Sequence, residues 1–491
     1  MRRIRRSRPL VTLGAADPNL TPRAGLRLVA EVDRILGVTA TLDACVGRTT
    51  ARRRGLSAGE LVLAMAETML AGGDFMVDLD TQRGDLAGAA LRAVPEIPAS
   101  STFIGRAKRF EERVFSGIEE ANATLVRRWF ALLPEKKRGE LIGVRPSIDL
   151  DPTDVETYGT KKEAMAFNHA GQRVGRPHPA VWAEAGVVLA ADLGSGTSDP
   201  RPQAPALIAR AIAALPSGLL RPIIRCDSGF FDKDVALAAL ANGADFAICA
   251  KRNPAAWRAC REIEEASWQP AKDMDAEVAE CDYRPAGWPE ATRCVVRRVR
   301  VDGDELKSDP RSRRRRTIDP NQLSLLEAGE IPHGYAYSFL CTNLGGEAAE
   351  IEVWFRMRAL VEEKIKDAKL GAALRHLPSG FAAVNRTWMW SALLALNTST
   401  WLQSLCRLDA GPHGRAHGKR LRRELIAVPA RVLTTRVASC SGSPPSTATA
   451  SSLTRGRHFT RWRASPAPDQ PVPPGHRALA GSTNHTNYPD P

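Results

Sequence analysis

The sequence predicts an α/β fold: a mixed-sheet core, interrupted by a mainly β insertion and preceded by an α-helical region. Three observations predict it. Apolar residues recur at helical spacing through residues 21–145. From 146, short strand-like runs alternate with helices, the mark of a sheet that is parallel in part. Between 253 and 350 the alternation gives way to β-like runs. The 491 residues are 43% apolar and 25% charged, which excludes wholesale disorder, a collagen-like repeat and a small disulfide scaffold.

Residues 1–20 read as a basic arm, MRRIRRSRP at its start, with no apolar stretch behind it to make a secretory leader. Residues 21–145 read as a helical, DNA-binding region. LRLVAEVDRILGV has helical spacing, and LSAGELVLAMAETML opens on Ser57 with Glu60 three residues on, a capping box. Further along, ASSTFIGRAKRFEERV places Ser100 or Ser101 before a basic helix with Arg106, Lys108 and Arg109. Short helix, turn and basic helix outline a helix-turn-helix, which makes these three cations candidate DNA contacts. A capped surface helix has the same outline.

The core starts at 146. SIDLD and AVWAEAGVVLAADL read as strands, 205–215 as a helix, RPIIRCD (221–227) as a buried strand, 233–243 as a glycine-ended helix and DFAICAK (245–251) as another buried strand. Ligands of such sheets collect at the carboxyl ends of strands. Two strands end there on acid, at Asp151 and Asp227, and Lys251 lies just past a third. His169 and His178 fall in a stretch read as a polar loop, FNHAGQRVGRPHPAV, without a carboxylate or cysteine at ligand spacing. The insertion, 253–350, carries CVVRRVRV and YAYSFLCTN around the loop SDPRSRRRRTIDP. Its Trp257, Trp268 and Trp288 suit core packing or stacking on an extruded base. Residues 351–410 complete the core with an amphipathic helix over about 351–376 and a Trp-rich helix over 382–406. The Trp-rich helix is the best membrane candidate, but Asn397, Thr398, Ser399, Thr400 and Gln403 make it too polar to span, so no membrane partner is expected.

The formal net charge is +14, which favours a polyanionic partner and equally fits a basic protein from a GC-rich genome. Residues 411–491 hold 12 Lys+Arg against 3 Asp+Glu and read as a basic, largely disordered tail, without apolar periodicity beyond about 435. Nine cysteines without a C-x-x-C pair suggest buried thiols in a reducing, cytoplasmic setting.

Asp149 and Asp151 share a face of the first core strand, and Asp227 ends a later one. The helix from 351 offers a third acid. At about 100° per residue, Phe355, Arg358, Glu362 and Lys369 fall within about 60° of one another, while Glu363 turns about 140° away from Arg358. Alone, the Arg–Glu pair is a common surface helix stabiliser.

Phe355-x2-Arg358-x3-Glu362-x6-Lys369, together with DLDPTD and RCDSGFF, resembles the three motifs of bacterial insertion-sequence transposases with an Asp–Asp–Glu triad and a Tyr-Arg-Glu-Lys signature. KDAKLGAALRHLPSGFAAVNRTW and HGKRLRRELIAVPARV are similar to segments of the insertion sequence 1380 family. The resemblance covers roughly residues 20–432 and departs from the signature at Phe355, which lacks the tyrosine hydroxyl. It implies an RNase H-like core whose catalytic and metal-holding residues are Asp151, Asp227 and Glu362. Asp151 is preferred to Asp149 because it ends the strand and precedes Thr153, as in the family motif. The implied cofactor is a pair of Mg²⁺ ions, with Mn²⁺ as a substitute. The implied partners are double-stranded DNA, as element ends and as target, and a second copy of the chain or a higher assembly on DNA. Arg358 and Lys369 then suit phosphate contacts, with Lys251 a weaker one. The implied function is cleavage of the ends at terminal inverted repeats and their joining to target. A catalytically inactive DNA-binding remnant and an RNase H-like nuclease are the alternatives.

Overall fold

Helical spacing and glycine placement build the first third of the chain. In the computed structural model, which describes residues 17–49, 55–309, 312–409 and 414–433, β1 (Leu20–Thr21) leads into α1 (Leu26–Leu36) and α2 (Val38–Val46). Gly37, at φ +67, takes the left-handed conformation that ends one helix and starts the next. α3 (Ala58–Leu70) begins on the expected Ser57–Glu60 capping box and is almost wholly buried. α4 (Asp78–Gly84), α5 (Ser100–Ala107), α6 (Glu112–Leu132) and α7 (Glu135–Ile142) follow.

The basic helix departs from expectation. α5 has eight residues and stops at Ala107, so Lys108 and Arg109 lie beyond it. Its first turn is closed by Asp80 of α4, which accepts from both the backbone and the hydroxyl of Ser100. Residues 85–99, with a 3₁₀ turn at Ala87–Leu91, separate α4 from α5, more than the short turn of a helix-turn-helix.

The core strands are β2 (Ser147–Leu150), β3 (Val155–Glu156), β4 (Ala166–Phe167), β5 (Arg173–Trp182), β6 (Val187–Ser195), β7 (Ile223–Cys226) and β8 (Asp245–Cys249). α8 (Ala204–Ala214) precedes β7, and α9 (Lys233–Ala241) crosses from β7 to β8. β2–β7 and β7–β8 are parallel, whereas β5 is antiparallel to β2 and β6. The stretch expected as a polar loop is largely β5, with His178 buried on it.

α10 (Pro254–Arg261), β9 (Gln269–Pro270), β10 (Glu277–Cys281), β11 (Arg293–Asp302), α11 (Gly303–Ser308), α12 (Pro320–Ala328) and β12 (His333–Thr342) come next. Their strands continue the core sheet. Among the described residues eleven strands join in the order β3-β5-β2-β7-β8-β12-β11-β10-β9, with β4 and β6 also on β5. Trp257 packs edge-on against Tyr337 and Phe339, and Trp288 against Phe246, so both are core residues; Trp268 stacks on the Arg298 guanidinium.

The amphipathic helix expected over 351–376 is two helices, α13 (Ala348–Arg356) and α14 (Ala359–Gly371). Between them Met357, Arg358 and Val361 donate to carbonyls three residues back, a tightened turn. α15 (Ala382–Leu405) is buried along most of its length. α16 (Gly418–Leu421) and β13 (Ala430–Arg431) follow, and β13 pairs with β1. Within 411–491, residues 414–433 are therefore ordered: Arg422 donates to the carbonyls of Leu70 and Gly371. The basic arm to residue 16 and the tail beyond 433 lie outside the described residues.

Candidate active site

Leu150 and Cys226 are register partners on the parallel pair β2–β7. The next residue on each strand is an acid, so Asp151 and Asp227 stand side by side where the two strands end. Asp227 Oδ1 accepts from the Gly229 amide at 2.9 Å, which closes a short 3₁₀ turn and fixes that carboxylate. Glu362 comes from the first turn of α14 and is exposed.

Arg358, at the helix break, sits among these acids. Its Nη2 donates to Asp151 Oδ1 at 2.8 Å, with side-chain exposures of 15% and 16%. The Asp151 carboxyl is pushed up to about 6, first by burial and then by Asp227 and Glu362, against the pull of Arg358. Burial works to lower the Arg358 guanidinium, but Asp151 and Asp227 carry it above its usual value. The three predicted acids thus share one electrostatic neighbourhood. Among the described residues no three His, Cys, Asp or Glu side chains stand close enough to hold one ion together.

Asp149, two residues before Asp151, is fully buried, and both its oxygens are held by Arg225, at 2.6 and 2.9 Å. Arg225 Nη1 also donates to the Trp354 carbonyl at 2.8 Å, near the end of α13. This buried pair ties β2 and β7 to the helix break and so positions Arg358. Arg225 was missed in the sequence, although it lies one residue before Cys226 and Asp227 and becomes the register partner of Asp149 once the strands are parallel.

On the other side of Asp151, Lys369 donates to the Asp154 carbonyl oxygen at 2.9 Å. Burial lowers the Lys369 ammonium, opposed by Asp154 and Asp151. Asp154 is gripped by Arg176 and Asn168. Asp151, Thr153, Glu362 and Lys369 line one hollow, and Glu362 and Arg358 line a second.

The other predicted cations lie elsewhere. Lys251 is exposed beyond β8 and acts on Asp199. Arg106 donates to the Leu56 carbonyl and to Thr49 Oγ1, and Lys108 caps the Phe381 ring at 3.8 Å. Arg109 is exposed. Asp232 caps α9. His178 is held at about 4 by burial, so it is neutral at physiological pH; His169 is exposed in a turn.

Comparison with known proteins adds a family. Among solved structures the chain is similar to a piggyBac transposase synaptic complex with hairpin DNA, at 9% identity and a TM-score of 0.41, over 82% of this chain and 79% of that one. No curated protein matches. Residues 6–309 and 325–440 match the family described as transposase DDE domain group 1. The match spans most of the sequence, the sheet and helix break that carry the acids included, and the chain belongs to this family of DDE transposases.

Proposed function

We propose that this transposase is an insertion-sequence enzyme of the 1380 type with an RNase H-like core. It binds terminal inverted repeats, cleaves the element ends and joins the freed 3′-hydroxyls to target DNA. The observation that carries the reading is the β2–β7 register, which brings Asp151 and Asp227 to neighbouring strand ends, with Glu362 acting on Asp151.

The donor set suits hard divalent cations. Three carboxylates crowd one neighbourhood, and Asp151 rises to about 6 partly because its neighbours repel its charge. A divalent cation relieves that repulsion. Mg²⁺ takes only one or two protein carboxylates and keeps its waters, so a three-acid cage around a single ion is not required. Asp151 would be shared between two ions, with Asp227 and Glu362 holding one each; Mn²⁺ would substitute. When bound, the pair would activate the attacking oxygen and stabilise the leaving one.

The chain's own residues do the rest. Asp227 is held by the Gly229 amide, and Arg358 is placed by the Asp149–Arg225–Trp354 link. Arg358 and Lys369 flank the acids as phosphate contacts. Double-stranded DNA reaches the site along a basic protein that works as two or more copies. The N-terminal helical region contributes end recognition through Arg106, Lys108 and Arg109, of which Lys108 and Arg109 are exposed. Lys251 adds a peripheral contact.

Asp151→Ala, Asp227→Ala and Glu362→Ala should each cut Mg²⁺-dependent cleavage of a labelled element-end duplex by about a thousandfold or more, since several kcal/mol of transition-state stabilisation rest on the ions. End binding should persist, because affinity comes mostly from Lys and Arg on phosphates. Near wild-type cleavage by Glu362→Ala overturns the assignment. Nicking by the wild-type chain without strand transfer points instead to a nuclease.

A further inference from the structure

The second hollow has features that the triad does not use. On the β11–β12 pair, Val295 faces Leu340 and Arg297 faces Ser338 across the ladder. Val295 and Leu340 pack with Ile351 of α13, against Trp354 and Phe355. This side of the sheet therefore lies beneath α13, and the groove between them opens toward the helix break.

Glu352 of α13 is buried over this floor, and one oxygen faces two guanidinium groups, Arg297 Nε at 3.0 Å and Arg356 Nε at 3.8 Å. Both cations are thereby paired with it by charge, yet Arg297 Nε and both Glu352 oxygens have no hydrogen-bond partner among the described residues. Arg356 Nη1 and Arg358 Nε are buried and have no hydrogen-bond partner among the described residues. Three guanidinium groups, Arg297, Arg356 and Arg358, line a groove that holds two carboxylates, Glu352 and Glu362. Buried N–H donors without acceptors are costly, and a phosphate is the acceptor that a guanidinium fork fits best. Phe355 and Leu340 add an apolar wall, which suits a sugar or base face.

We propose that this groove is a second phosphate-binding site, where Arg297 and Arg356 grip a phosphodiester next to the one that reacts. It rests on the reading of the chain as a DNA-cleaving transposase. Glu362 lines both hollows, and Arg358 of the groove bonds Asp151 of the other, so one strand runs from Lys369, past Asp151, into the groove. Arg297 and Arg356 are binding residues there, and Glu352 is a positioning residue that holds both.

The test uses the full chain and a fluorescein-labelled 12-nucleotide oligo(dT), since backbone contacts are independent of sequence. Arg356→Gln should weaken binding about five- to tenfold at low salt. It should also flatten the slope of log affinity against log salt by about 0.7, the value for one phosphate on a single strand. Arg297→Gln leaves Glu352 buried without its closer partner, so Arg297→Gln with Glu352→Gln is the variant that keeps the fold, checked by thermal melting. Arg300→Gln, on β11 but exposed, should change affinity less than twofold. A neutral methylphosphonate beside the cleavage position of an element-end duplex should weaken wild-type binding and leave Arg356→Gln binding unchanged. Wild-type affinity and slope in both groove variants, an equal loss in Arg300→Gln, or additive losses with the methylphosphonate overturn the proposal. Oligo(dT) binding involves no cleavage. A groove effect alongside cleavage-competent triad variants would therefore sink the catalytic reading alone, and an unaffected slope alongside dead triad variants would sink the groove alone.

Discussion

α15 and the α13–α14 pair both carry many polar residues, and they use them in opposite ways. α15 runs unbroken for 24 residues and is buried from Trp388 to Ser404. Three of its amides each pair with the N–H and C=O of one other residue: Asn385 with Ser379, Asn397 with Val188 and Gln403 with Ala416. An amide used this way imitates a neighbouring strand. At Val188 it covers the free edge of β6, helped by Asn122 of α6. α13 and α14 break at Met357–Arg358 and leave Glu362, Glu363 and Lys366 exposed. Polar groups bonded to backbone on all sides make a fixed support, while those left open are available to a ligand.

Breaking the closed side should have the largest effect on stability. Asn397→Leu orphans the Val188 amide and Asn122 Oδ1, each at about 1–3 kcal/mol. A loss of about 2–5 kcal/mol by chemical denaturation is expected; a loss below about 1 kcal/mol would mean that the amide does not hold the edge. A pH-dependent effect comes next, from Glu67 on α3, the helix that packs on α15. Burial raises its carboxyl to about 8, against the pull of the Ala93 and Val94 amides and Arg92. A raised carboxyl binds its proton more tightly in the folded state. Its contribution is therefore full below about 4.5, the ordinary value, and is lost as pH rises toward 8. Melting temperature should fall across that window in the wild type and fall less in Glu67→Gln; parallel curves would reject the linkage. The smallest effect belongs to the open side. Glu363→Gln should change stability by less than about 0.5 kcal/mol and cleavage only mildly. A severe cleavage defect there, with Glu362→Ala active, would reverse the helical-face argument.

The same contrast separates what was legible in the sequence from what was not. Polar interruptions in the Trp-rich segment correctly indicated a core helix, and no helix among the described residues is long and apolar enough to cross a membrane. The Ser57–Glu60 box and the acids after two strands were local signals, and each lies where its spacing put it. The break at Arg358 carries no Pro or Gly to announce it. It depends on Arg225, whose Nη1 bonds the Trp354 carbonyl, while the Arg358 amide turns to Phe355 instead. The cap on α5 comes from Asp80, 20 residues away. His178 sits between Pro177 and Pro179, and those prolines disguised a strand. In each case a partner distant in sequence decided the outcome.

β1 and β13 meet from opposite ends of the described chain, Leu20 opposite Arg431 and Thr21 opposite Ala430. Gly25 lies so close to the Leu425 carbonyl that a side chain there would collide with it. Translation delivers the two halves of this seam far apart in time, since a ribosome adds about 5–20 residues per second. The first strand emerges tens of seconds before β13, its partner in the sheet, exists. A nascent chain therefore carries an open seam beside its N-terminal helices, and a message cut short before codon 430 yields a protein in which it never closes.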